Sequence, residues 1–330
     1  MTSYEIVRRA IEFERPERIP IRFGALGVDD TYGVSVARPS GRQPCEPNAD
    51  EWGCVWETPP EASGIVNMGQ PTGHPLPSLD QMGEREWPDP TDETRYEVTA
   101  RELEGAGDKY VLSGCGFTFF ERMHFLLSMP ELFVEMHERP KKVHEFADRV
   151  LEYPIGVARE LGKRFRGRVH GFTMTDDWGT QQAAFLSLPM WREFFKDRYR
   201  RLFEAIHDAG MHAWMHSCGH VNEVIGEWAD CGLDVVNLQQ PRNLGIEEIG
   251  RRYRGRICFE SLCDIQATLP RGDVQAIREE AALLLEQWAT PAGGFILSDY
   301  GDGAAIGVPD EVKRIMLDAF VELGAPGLRV

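Results

Sequence analysis

The sequence predicts an α/β protein with the architecture of a (β/α)8 TIM barrel, and three observations predict it. From residue 109 onward, short β-branched or apolar runs alternate with longer amphipathic stretches, the pattern of parallel strands joined by helices. A further strand-like run stands near the N-terminus at 18–23, far from the others, and the irregular stretch 24–108 has room for one more. No Gly-x-Gly-x-x-Gly turn follows an early strand, which argues against an open dinucleotide-binding sheet. At 330 residues the chain suits one barrel, so 1–330 reads as one domain.

The strands of the regular part fall at 110–116, 169–175, 212–217, 233–239, 257–262 and 294–298. Helices are expected over 121–137, 140–165, 189–209, 221–230, 245–253, 273–289 and 310–323. Pro189 and Pro309 mark helix starts, where a missing N–H costs nothing. Residues 24–108 are rich in Pro and Gly and carry Trp52, Trp56 and Trp87. So long a stretch without periodicity reads as a cap over a site or as a contact between the two copies of a homodimer.

Composition narrows the function classes. The hydrophobic fraction of 42% and mean hydropathy of -0.35 are those of a water-soluble protein. No run approaches the ~18 apolar residues of a membrane span, and the N-terminus lacks the apolar core of an export signal, so a cytoplasmic enzyme is expected. The net charge of -17 repels phosphate backbones, which excludes a nucleic-acid role. Seven cysteines, an odd and irregularly spaced set, are expected to be reduced; Cys115, Cys231 and Cys258 lie in apolar runs and read as core residues.

In such a barrel the reacting groups stand at the carboxyl ends of the strands. That rule selects Asp176 and Asp177, then His216 and Cys218, then Asn237 and Gln239, then Glu260 and Cys263, and last Asp299, Tyr300 and Asp302. Residues i and i+2 of a strand share a face, so His216 and Cys218 can meet at one point, as two ligands of one ion must. Imidazole plus thiolate favours zinc, with Glu260, Cys263, Asp299 or Asp302 open as the third ligand. Asp176 and Asp177 are adjacent, so only one of them faces the mouth while the other caps the following loop. His207 and His212 belong to the opposite, stability-giving face, and His220 reads as a polar residue at a helix start.

These residues resemble the uroporphyrinogen decarboxylase superfamily. The resemblance is carried by Asp176-Asp177-Trp178-Gly179-Thr180-Gln181, Trp191-Arg192-Glu193-Phe194-Phe195, Ala209-Gly210, His216-Ser217-Cys218-Gly219 and Gly232-Leu233-Asp234-Val235-Val236-Asn237. Near the N-terminus, Arg15-Pro16-Glu17-Arg18-Ile19-Pro20 and Asp50-Glu51-Trp52-Gly53 add to it. The resemblance implies a (β/α)8 barrel and one of two activities: porphyrinogen decarboxylation, or zinc-dependent methyl transfer between a corrinoid protein and a thiol or folate. The decarboxylase arm carries an Arg-Gln-Ala-Gly-Arg segment that grips carboxylates; here the matching stretch is Pro20-Ile21-Arg22-Phe23-Gly24-Ala25. The methyltransferase arm adds a distant cysteine to His-x-Cys, but Phe295-Ile296-Leu297-Ser298-Asp299-Tyr300-Gly301 has none.

The expectation is therefore a methyltransferase or demethylase acting on a small molecule. Zinc is held by His216 and Cys218 with Glu260 or Asp299, and the corrinoid is supplied by a partner protein. Asp176, Asp177, His216, Asn237 and Gln239 are the expected catalytic set. The rival expectations are a metal-independent decarboxylase or lyase in which His216 moves protons, and a non-catalytic subunit of a corrinoid complex.

Overall fold

A computed structural model describes residues 1–40, 48–58 and 69–324; Cys45 lies outside the described residues. The strands are β1 (Ile21–Phe23), β2 (Val28–Asp29), β3 (Thr31–Gly33), β4 (Val55–Glu57), β5 (Gln70–Gly73), β6 (Tyr110–Phe117), β7 (Gly171–Thr175), β8 (His212–His216), β9 (Val235–Leu238), β10 (Cys258–Ser261) and β11 (Phe295–Ser298). In space the main sheet runs β2-β1-β11-β10-β9-β8-β7-β6-β3. All of its pairings are parallel except β1 with β2. Its two ends, β2 and β3, are separated in sequence by Asp30 alone. The Asp30 N–H donates to the Ile21 carbonyl at 2.7 Å and its own carbonyl accepts from Tyr110 N at 2.9 Å, which joins the ends into a barrel. Its buried carboxylate takes the two terminal Arg18 guanidinium nitrogens at 2.6 Å, so the closure is fixed by a partly exposed ion pair. The eighth parallel strand is thus β3, within the irregular region as expected.

Side-chain alternation divides the core in two. Tyr110, Leu112, Trp214, Val235, Cys258 and Ile296 fill the barrel interior together with Val7 and Ile11. Those last two come from α1 (Ser3–Ile11), a helix that periodicity did not reveal, started by a capping box between Thr2 and Glu5. It closes the end where strands begin: Glu12 meets His212 Nε2 at 3.3 Å, and Tyr110 hydroxyl meets His212 Nδ1 at 2.6 Å. The carboxyl end of the barrel is left open.

The remaining helices are α2 (Glu97–Glu102), α3 (Phe120–Leu127), α4 (Met129–Glu138), α5 (Pro140–Phe165), α6 (Leu188–Trp191), α7 (Asp197–Asp208), α8 (Asn222–Cys231), α9 (Pro241–Leu244), α10 (Ile246–Tyr253), α11 (Val274–Trp288) and α12 (Asp310–Leu323). Two expectations are corrected. The helix expected over 121–137 is two, because Ser128 turns with φ +78° and then accepts from Glu131 N to cap α4. The helix expected over 189–209 is interrupted by a π-helical stretch at Arg192–Lys196. In both places an apolar periodicity runs through a backbone break. Cys231 and Cys258 are buried as expected, whereas Cys115 is only half-buried.

The described part of 24–108 packs against α3 and α5. Trp56 stacks on Phe117 at 5.2 Å between ring centroids, and Trp52 meets Trp87 and Tyr153 edge-on under the Arg122 guanidinium. No helix among the described residues is long and apolar enough to cross a membrane.

Candidate functional site

At the open end lies a cavity of about 740 Å³, bounded by the ends of β6, β7 and β8 and by the loops after β9, β10 and β11. His216 ends β8, and register pairs it with Thr175 on one side and Asn237 on the other. Asn237 Oδ1 lies 2.6 Å from His216 Nδ1. A carbonyl oxygen only accepts, so Nδ1 carries a hydrogen and Nε2 is turned to the cavity. That nitrogen stands 3.2 Å from Cys218 Sγ and 3.7 Å from Asp177 Oδ1. Asp177, His216 and Cys218 each offer one ligand atom, and all three atoms lie within 4.8 Å of one another. An ion with bonds of ~2.0–2.3 Å to N, O and S fits between atoms so spaced.

The surrounding chain holds these groups. The Cys218 N–H donates to Asp177 Oδ1 at 2.7 Å, which aims the carboxylate. Gly219 has φ +81°, and a Cβ there would stand 2.1 Å from the Gly179 carbonyl oxygen, so only glycine lets the two loops cross. The crossing is tied by His220 N donating to Thr180 O at 2.8 Å and by Gln240 Oε1, which accepts from Gly219 N and from Gln181 Nε2. Burial pulls the His216 imidazole down, but the Cys218 sulfur, then Asp177 and Asn237, outweigh it and hold the pKa up to about 10. A metal ion bound there would take the place of that proton.

The sequence-selected residues separate into two groups. Asp177, His216 and Cys218 converge, with Asn237 behind His216 and Gln239 on the cavity wall. Asp176 turns away, fully buried: its oxygens accept from Phe120 N at 3.0 Å, Glu121 N at 2.7 Å and the Tyr199 hydroxyl, which fixes the start of α3. Of the two adjacent carboxylates, Asp177 is the one at the mouth.

Glu260 and Asp299 are not brought to the trio. Glu260 lies inside the barrel with one oxygen on Arg22 Nη1 at 2.8 Å and the other accepting from Trp214 Nε1. Asp299 is held by the buried Lys313 ammonium at 3.1 Å. The third donor comes instead from Asp177, which the sequence assigned to catalysis. Glu260→Ala is expected to cost roughly 2–4 kcal/mol, because it strands Arg22 and the indole N–H. It should leave zinc affinity as in wild type; a chelator titration showing weaker zinc in that variant would return Glu260 to the ligand set. Cys263 is buried beneath α11, and Asp302 caps a turn through Ala305 N.

Glu121 was missed. It is the second residue of α3, three positions beyond Thr118 in Gly116-Phe117-Thr118 at the end of β6, where the strand-end rule applied to that strand would have found it. It lines the cavity at 5% exposure, and its Oε2 accepts from the Thr175 hydroxyl at 2.8 Å. Burial first, then the Asp177 and Asp176 carboxylates, push its pKa up, against the Thr175 bond. The folded chain therefore keeps a proton that the unfolded chain has lost, so this group makes stability fall as pH rises from its ordinary 4.5 to its raised folded value. Glu121→Gln should flatten that slope in urea unfolding across pH; an unchanged slope would show that Glu121 titrates normally.

A (β/α)8 barrel with a His-x-Cys pair and a carboxylate at its mouth is thus the class the fold and site define. The uroporphyrinogen decarboxylase family model matches residues 95–323, and the chain belongs to that family. Among solved structures it is similar to a methyltransferase from Methanosarcina mazei, with TM-score 0.70 and 18% identity over 98% of this chain and 99% of that one. A D-psicose 3-epimerase also matches, at TM-score 0.41 and 12% identity over 76% of this chain and 88% of that one. No curated protein sequence matches the chain.

Proposed function

We propose that the chain is a cytoplasmic methyltransferase or demethylase that holds zinc on Asp177, His216 and Cys218 and works on a small molecule, with a corrinoid protein as its partner. The observation that carries this reading is the convergence of those three donors on one point of the cavity wall. Three protein ligands with the fourth side open to a cavity is the arrangement of a catalytic zinc. The His216 to Asn237 hydrogen bond is the outer-shell contact that a ligating imidazole needs. Zinc bound there would supply a lowered pKa to a thiol or hydroxyl of the substrate, so that it is a nucleophile at neutral pH.

The chain's own residues do the rest. Asn237 fixes which imidazole nitrogen faces the cavity, and the Cys218 amide fixes the Asp177 carboxylate. Gln239 and Tyr300 stand on the wall as hydrogen-bonding groups, and Phe117, Ile265 and Ile306 exclude water from its apolar part.

Elemental analysis of protein purified without added metal should find close to one zinc per chain, and methylcobalamin should methylate 2-mercaptoethanol in a reaction that a chelator stops. Metal-free protein with no methyl transfer would overturn the reading and favour the lyase alternative.

A further inference from the structure

Asp299 and Lys313 stand apart from the trio, and what they hold is the start of the loop after β11. Asp299 N donates to the Arg22 carbonyl at 3.1 Å, which carries the pairing of β1 with β11 one residue further. The Lys313 ammonium, from α12, then joins two neighbours: it pairs with the Asp299 carboxylate at 3.1 Å and donates to the Tyr300 carbonyl at 2.7 Å. A buried ion pair adds little net stability, but breaking it is costly, so it fixes the backbone it holds. Gly303 lets the loop pass over the lysine, since a Cβ there would stand 2.5 Å from the Val308 carbonyl oxygen. What this clamp presents to the cavity is Tyr300. Its side chain shares the wall with Cys218 and Asp177, and its hydroxyl has no hydrogen-bond partner among the described residues. Burial first, then Cys218, Asp302 and Asp177, raise its pKa, so the phenol keeps its proton at neutral pH and lies within electrostatic reach of the trio. Glu121 and Gln240 on the same wall are already engaged, by the Thr175 hydroxyl and by the loop crossing.

We propose that Tyr300 is a further substrate-contacting residue of this site, whose hydroxyl donates a hydrogen bond to an oxygen acceptor that the substrate carries close to the atom reacting at the trio. This rests on the reading that the cavity is the reaction site, and it names a feature the substrate must have. A molecule that enters displaces water from the phenol, and only one with an acceptor at that point restores the lost bond. An analogue of the same size without the acceptor leaves the O–H unpaired, so the hydroxyl discriminates between the two. The donor is neutral, so the preference is for an acceptor and not for a charge.

Cys218 lies on the same wall and provides a probe that needs neither metal nor turnover. In the chelator-treated full chain, its alkylation by acrylamide is compared with that by iodomethane, both small and uncharged. Acrylamide takes the thiolate at its β-carbon, negative charge moves onto the amide oxygen, and a proton from water then goes to the α-carbon. Iodomethane transfers its methyl group to sulfur and releases iodide, with no oxygen involved. Rates are read by mass spectrometry of the Cys218 peptide, and their ratio cancels any change in the amount of thiolate. Tyr300→Phe should lower the acrylamide-to-iodomethane ratio by roughly 3–10-fold, the worth of one hydrogen bond, and leave the iodomethane rate within about twofold of wild type. An unchanged ratio would pass the role to the Gln239 or Gln266 amide and overturn the proposal. An equal fall in both rates would overturn it too, because Tyr300 would then act on the thiol or the fold, and so would a Cys218 that neither reagent reaches. Because the reaction uses metal-free protein, failure of the zinc assignment leaves this result standing, and the reverse holds too.

Discussion

Cys218→Ala should strip zinc from the purified protein and abolish methyl transfer while leaving the thermal midpoint of the metal-free chain where it was. Loss of a mere outer-shell partner weakens a zinc site by ~10–100-fold, so loss of a ligand atom costs more than that. The fold does not depend on this side chain. Cys218 is half-exposed, and the bond that orients Asp177 comes from its backbone amide, which alanine keeps. A catalytic site of this kind contributes less to folding than a closed structural one. Zinc content by elemental analysis, chelator competition and unfolding of the metal-free protein measure the three effects separately. Undiminished zinc in Cys218→Ala would place the metal elsewhere.

The barrel was legible in the sequence because its strands after residue 109 are buried on both faces and read as apolar runs between amphipathic helices. β3 was not individually legible: three residues, Thr31–Gly33, paired to β6 with Asp30 as the joint, give no periodicity to detect. The α1 plug escaped for a different reason. Its nine residues bury only one stripe, Ile6, Val7, Ala10 and Ile11, and the sequence gives no sign that this stripe faces a barrel interior.

At the site, the period of two was enough to bring His216 and Cys218 together. The third donor lay beyond such reasoning. Asp177 reaches the pair because the loops after β7 and β8 cross at Gly179 and Gly219, a contact between residues forty apart in sequence. Asp299 and Glu260 satisfy the strand-end rule equally well, but the rule does not foresee that Lys313 on α12 and Arg22 on β1 have claimed them. Placement at a strand end is necessary for a ligand; freedom from a competing ion pair is the second condition, and it is set by tertiary structure.

The adjacent carboxylates make the sharpest contrast, because one substitution at each should separate folding from function. Asp176→Asn replaces an oxygen that accepts from helix amides or the Tyr199 hydroxyl by an NH2 that can only donate. The site is completely buried, so the lost bonds have no water to replace them. The cost should be roughly 2–4 kcal/mol, or about 3–6 °C in thermal midpoint for a chain of this size, with α3 loosened at its start. Asp177→Asn should leave the midpoint of the metal-free protein within about 1 °C, since its carboxylate is 40% exposed and the amide oxygen still accepts from Cys218 N. It should nevertheless lower zinc affinity by more than tenfold, because an amide oxygen is a neutral and weaker ligand than a carboxylate. The two variants are compared by calorimetric unfolding after chelation and by zinc titration. A large drop in midpoint for Asp177→Asn with zinc affinity intact would exchange the two roles and remove Asp177 from the metal site.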